Sequence, residues 1–120
     1  MKKKIECFED LFIWQKAVEF AKDIYLLTER LEDGLRFKKS NAGCVGFNFE
    51  HIAEGFERRS RKEYLNFLNI AKGSAGEIRS QLYVAFSIGY INQTELSTMR
   101  EKAKFLSGSI QNHSKAISDS

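Results

Sequence analysis

Arg58, Arg59, Arg61 and Lys62 place four cations in a run of five residues, interrupted only by Ser60. Guanidinium groups present planar forks of N–H donors that match phosphate oxygens, and a lysine adds a compact point charge. A helical pattern starts directly behind Ser60. The free N–H groups of that helix start would stand beside the same charges and favour an anion. The chemistry this cluster supports is the holding of a nucleic-acid backbone, RNA or DNA, without reading bases. The plainer reading is a solvated surface cluster. Lys2, Lys3 and Lys4 add attraction at a distance, or serve only as a soluble tail.

Other residues with chemical potential read as structural. Glu54 lies between Ala53 and Gly55, on what reads as the apolar side of a helix. A buried carboxylate needs a partner, and Tyr25, Arg79 or Gln81 would serve. No second acid, serine or cysteine stands at a spacing that builds a catalytic pair with it, so no catalytic residue is assigned and the chain reads as non-enzymatic. Cys7, Cys44, His51 and His113 are the only cysteines and histidines. Their spacing matches no short zinc-ligand pattern, so neither metal nor cofactor is expected. Two cysteines make no disulfide framework. Trp14, Tyr25, Phe67 and Phe86 have the ring types that stack on bases, but their helical spacing assigns them to the core. His113 reads as a polar residue tolerated on a helix seam.

The elements that must position these residues are helices. A chain of 120 residues makes one domain, 1–120, with short disordered ends at about 1–7 and 118–120. Its hydrophobic fraction of 42% and charged fraction of 29% are those of a soluble globular protein. No apolar run approaches the roughly 18 residues of a membrane span, and Met1–Lys4 lead into Glu6, Glu9 and Asp10 rather than an apolar segment. A cytoplasmic protein without membrane contact is expected. The net charge is +3, and the excess comes from residues 61–120, with 8 basic and 5 acidic side chains, while residues 1–60 balance at 11 each. That bias permits an acidic partner without demanding one.

Proline is absent and helical periodicity dominates. A first helix is predicted from about Glu9 to Arg30, with Leu11, Trp14, Val18, Ala21, Tyr25 and Thr28 as its apolar stripe, flanked by Ala17, Ile24 and Leu31 in a wide apolar face, and with Gly34 closing it. A second helix is predicted over Asn48–Phe56. Residues 38–47 hold poor helix formers, among them Asn41, Gly43 and Gly46, and read weakly. A third helix opens on Ser60 and Glu63, a capping box, and carries Tyr64, Phe67, Leu68, Ala71, Ala75, Ile78, Leu82, Ala85 and Phe86 to about Ile88. Gly73 and Gly76 in its middle read as a place where another helix approaches closely. Gly89 closes it. Asn92 and Glu95 cap a fourth helix, with Ile91 and Leu96 as a hydrophobic staple. That helix repeats Leu96, Met99, Ala103, Leu106, Ile110, His113 and Ile117 at a/d spacing. The expected architecture is all-α, an up-down antiparallel four-helix bundle.

Several linked motifs resemble those of the four-helix bundle proteins, also called 23S ribosomal RNA intervening-sequence proteins. The pattern F-x-x-L-x-x-W-x-x-A is met by Phe8, Leu11, Trp14 and Ala17. The pattern N-I-A-E-G-[FY]-x-R is met by Ile52, Ala53, Glu54, Gly55, Phe56 and Arg58. A third, S-x-K-E-[FY]-x-x-F-L-x-I-A-x-G-S, is met from Ser60 and Lys62 through Gly73 and Ser74, and Glu77, Gln81, Leu82, Gly89, Tyr90 and Ile91 complete the series. His51 replaces the motif's asparagine, and residues 37–50 depart from the family's second helix. That local mismatch fits either divergence or a compensated shift of reading frame. The resemblance implies an up-down bundle that assembles as a homopentameric ring and has no established enzymatic activity. Some members are encoded within insertions in large-subunit ribosomal RNA genes. A related branch, the accessory variability proteins of diversity-generating retroelements, binds nucleic acid and a reverse transcriptase. The expected function is that of a low-specificity nucleic-acid-binding accessory protein, and the rival is a protein-interaction scaffold with no nucleic-acid role.

Overall fold

The computed structural model describes residues 4–29 and 48–120. Four helices are present: α1 (Phe12–Glu29), α2 (residues 48–57), α3 (Arg61–Ser87) and α4 (Gln93–Ser118). No strand occurs among the described residues. The expected end of the first helix at Gly34 and the weak segment 38–47 lie outside them. A 3-10 turn, Phe8–Asp10, precedes α1, so the first α-helix starts at Phe12 rather than Glu9.

Side-chain pairs show that neighbouring helices run antiparallel. Along α2 and α3, Asn48 meets Ser74 while Phe56 meets Tyr64. Along α3 and α4, Arg61 reaches Ser120 while Tyr83 reaches Arg100. α4 also packs on α1, where Lys102 Nζ lies 2.6 Å from Asp23 Oδ2. The core fills the space between them with Ile24, Ile52, Leu68, Ile78, Leu82, Leu106 and Ile110, all fully buried.

The ends of α3 and α4 follow from local chemistry. Ser60 Oγ accepts from Glu63 N at 3.3 Å, one half of the expected capping box. The Glu63 carboxylate turns instead toward Arg58, 3.7 Å away. At the other end Gly89 takes φ +84°, and Tyr90 N donates to Ala85 O while Gly89 N donates to Phe86 O. These two bonds form a Schellman motif, which needs a residue free to enter the left-handed region. The Asn92–Glu95 capping box forms in full, with bonds of 2.8 and 2.9 Å. Ile91 and Leu96 are both buried beside it. α4 ends at Ser118, the first residue of the tail where fraying is expected.

The α4 stripe is buried as expected from Leu96 to Ile110, and that of α3 from Tyr64 to Ala85 apart from Phe67, which is half-buried. The α1 stripe is phased differently. Ile13, Ala17, Phe20, Ala21, Ile24 and Thr28 are buried, whereas Val18 and Tyr25 are exposed. Phe86 is exposed too. Ala17, Phe20, Ala21 and Ile24 mark the buried side of α1.

Candidate functional site

The four cations of the 58–62 run sit at the elbow between α2 and α3, beside the C-terminal end of α4. They do not act alike. Arg58 is held by its own chain: its guanidinium lies 3.0 Å from Glu54 Oε1, 3.7 Å from Glu63 Oε1 and 5.4 Å from the centre of the Phe67 ring. Two carboxylates and a ring occupy the fork that a phosphate would use. Glu54 is therefore corrected: it is half-exposed and bonded to Arg58 one helical turn on, not buried against Tyr25, Arg79 or Gln81. The buried side of α2 carries Asn48, Ile52 and Gly55, at spacings of four and three, and Glu54 falls off that line.

Arg59 is exposed and has φ 59°, the only described residue other than glycine with a positive φ. A side chain in that region costs energy that glycine would not. Arg61 donates from Nη2 to Ser120 Oγ at 3.3 Å and keeps its remaining donors free of acids. Lys62 is exposed. Neither Arg59 nor Lys62 makes an ion pair among the described residues. A small hollow of about 290 Å³ adjoins the elbow, lined by Phe56, Arg59, Ser60, Arg61, Tyr64 and Ile117.

The elbow rests on a close approach of α2 to α3. A Cβ added to Gly55 would lie 2.6 Å from Phe67 Cβ and 3.1 Å from Tyr64 Cδ1. The tight glycine is thus Gly55, and the expectation for Gly73 and Gly76 is corrected. Among the described residues, a Cβ at either would meet nothing within 4 Å. His51, where the motif has asparagine, sets its ring 5.6 Å from that of Phe67.

Beneath the elbow Tyr64 Oη and His113 Nε2 are 2.8 Å apart. With the imidazole neutral and its proton on Nδ1, the phenol donates and the ring nitrogen accepts. Burial raises the Tyr64 pKa and lowers that of His113. His113 is therefore a bonded member of the α3–α4 seam. Because its pKa is depressed on folding, the unfolded chain binds the proton first as pH falls below about 6.5. Stability should drop as pH is lowered through that value and then level off below the folded pKa. Melting temperatures followed from about pH 7.5 to about pH 5 should fall more in wild type than in His113→Gln, which has no titrating ring. An equal fall in both would show that His113 does not contribute.

Cys7 donates from Sγ to Asp10 Oδ2 at 3.2 Å, and this bond raises the thiol pKa. Its thiolate is disfavoured, which makes it a poor nucleophile. Cys44 lies outside the described residues, and among those described no three of His, Cys, Asp and Glu gather as metal ligands. None of the described helices is long and apolar enough to cross a membrane.

Sequence reasoning missed two buried polar contacts that support the elbow, Tyr64–His113 and Ser74–Asn48. In the second, Ser74 Oγ donates to Asn48 Oδ1 at 2.6 Å. Spacing alone places each of these residues on a helix, but not opposite its partner.

Fold and site define the class: a small all-α protein of antiparallel helices with a cationic elbow. Residues 9–112 match the model of the 23S rRNA-intervening sequence protein family, and the chain belongs to that family. Comparison with curated proteins gives no match.

Proposed function

We propose that this protein is a non-enzymatic, self-assembling bundle that holds nucleic-acid backbones, RNA or DNA, with low sequence specificity. The observation that carries this reading is the elbow. Arg59 and Lys62 stand exposed without an acid among the described residues, and Arg59 is kept in a backbone conformation that glycine would adopt at lower cost. Arg61 adds a third cation beside them. Arg58, spent on Glu54 and Glu63, is a clamp for the elbow rather than a ligand contact.

Assembly into a homopentamer, as the family resemblance implies, would repeat this weak patch around a ring and multiply its affinity. Exposed apolar side chains support self-association. Phe12 and Phe105 are 53% and 55% exposed and meet edge to face at 6.1 Å, and Val84 on α3 and Ile88 just after it are 58% and 57% exposed. Such surface is available for contact with another copy.

Two measurements test the reading. Light scattering should give about five times the 13.8 kDa chain mass, and a monomer at micromolar concentration would refute assembly. Binding of duplex or structured RNA should weaken steeply with salt. Arg59→Gln, Arg61→Gln and Lys62→Gln together should flatten the log–log salt slope by about 2–3 and leave the helices intact. If wild type does not bind at low salt, the cations are solvated surface and the protein is a scaffold for other proteins.

A further inference from the structure

A second cationic surface runs along the outer seam between α3 and α4, from near the elbow to Arg79 and Arg100 at the other end. On α3, Lys72 and Arg79 fall on one helical face. On α4, Arg100, Lys104 and Lys115 do the same, and the antiparallel packing sets the two rows opposite each other. Two polar hollows open along this line. One, of about 440 Å³, is lined by Arg79, Tyr83, Arg100, Glu101 and Lys104. The other, of about 490 Å³, includes Asn66, Asn69, Lys72, Gln111, Lys115 and Asp119 in its lining. Within these linings five cations face two carboxylates.

The acids neutralise the seam only in part, since one carboxylate is shared between two cations. Glu101 is 3.6 Å from Arg100 and 3.9 Å from Lys104, and its side chain is 63% exposed. Arg79 and Lys115 make no ion pair among the described residues. Lys72 is held by a neutral group, donating to Gln111 Oε1 at 2.7 Å. Arg100 Nη1 lies 3.5 Å from Tyr83 Oη, which orients the guanidinium across the groove. Amide groups between the cations add hydrogen-bond donors.

We propose that this α3–α4 seam is a track for the phosphodiester backbone of a nucleic acid, with Arg79, Arg100 and Lys104 as its principal contacts. The proposal rests on the nucleic-acid reading above and adds a surface to it. Charge complementarity selects the occupant: regularly spaced cations in open, polar hollows suit a flexible chain of phosphates and offer little to an apolar partner. The contacts are to backbone oxygens, so they position a strand without specifying its sequence. The seam is also distinct from the exposed apolar side chains Ile70, Val84 and Ile88, which lie on another side of α3 or just after it.

The test is fluorescence anisotropy with a labelled single-stranded thymidine oligonucleotide, at several salt concentrations. Arg79→Gln, Arg100→Gln and Lys104→Gln combined should lower low-salt affinity at least about ten-fold and reduce the log–log salt slope by about 2. A second variant, Arg79→Lys with Arg100→Lys, retains charge and should retain most of the slope. Circular dichroism on both variants checks that the helices are kept. If wild type binds and the glutamine variant binds equally with the same slope, the seam proposal is overturned while the elbow reading stands. If wild type fails to bind single strand, duplex and structured RNA alike, both are overturned.

Discussion

Gly55→Ala should destabilise the protein by about 1–3 kcal/mol, the usual range for forcing extra volume into a packed contact. The new Cβ would fall 2.6 Å from Phe67 Cβ, and Phe67 cannot swing away at its Cβ because that atom is fixed to the α3 backbone. α2 must therefore move off α3, and with it the contacts of Phe56 on Tyr64 and of Arg58 on Phe67. Helix propensity acts the other way, since alanine is the better helix former by about 1 kcal/mol, so a net loss reports the clash. Urea denaturation should show a lower midpoint at unchanged slope. An unchanged or higher midpoint would mean that the helices do not approach this closely. Gly73→Ala is the matched control, because among the described residues nothing within 4 Å opposes its methyl group. It should gain up to about 1 kcal/mol from propensity alone. A loss at Gly73 instead would reveal another copy of the chain covering that face.

These two glycines show where sequence stops informing. A glycine in a helix signals either tolerance or close approach, and the residue itself carries no side chain to tell which. Gly73 and Gly76 drew attention because they are clustered, while Gly55 stands alone beside Glu54. The α3 and α4 stripes were legible because large aliphatic residues recur on one side with polar residues opposite, and because Gly89, Asn92 and Glu95 punctuate the turn. α1 was not phased correctly. Its apolar residues surround much of the helix, from Phe12, Ile13 and Trp14 to Tyr25, Leu26 and Leu27. Centring the stripe on Trp14, Val18 and Tyr25 then leaves Ala17 and Ile24 as flanks and omits Ile13 and Phe20. Glu54 was misplaced for a related reason, since its small neighbours looked like a buried surface. The cations at the elbow were legible as a cluster. That Arg58 is neutralised within the chain was missed because Glu54, one helical turn before it, was read as buried, and because Glu63 arrives from the next helix. The α3–α4 seam escaped entirely, since its charges are scattered in sequence and gather only when two antiparallel helices pack.

Ser74→Ala should cost about 1–3 kcal/mol, the penalty for leaving a buried polar group without its hydrogen bond. Asn48 is fully buried, and its Oδ1 accepts from Ser74 Oγ at 2.6 Å. Its Nδ2 is also buried, with no hydrogen-bond partner. Removing the serine hydroxyl would strip the oxygen as well, leaving both ends of the amide desolvated and unpaired. Asn48→Leu alone leaves Ser74 Oγ with the Ala71 carbonyl at 3.1 Å, a bond it can keep. The two single changes should therefore differ, with Ser74→Ala the more damaging. The double change Asn48→Leu with Ser74→Ala removes the polar pair together, and apolar replacement of both partners is often close to neutral. A double-mutant cycle by urea denaturation should thus show the second substitution recovering most of what Ser74→Ala loses, a coupling of at least about 1 kcal/mol. If the two losses simply add, Asn48 and Ser74 are independent, and the bond between α2 and α3 does not help to hold the elbow in place.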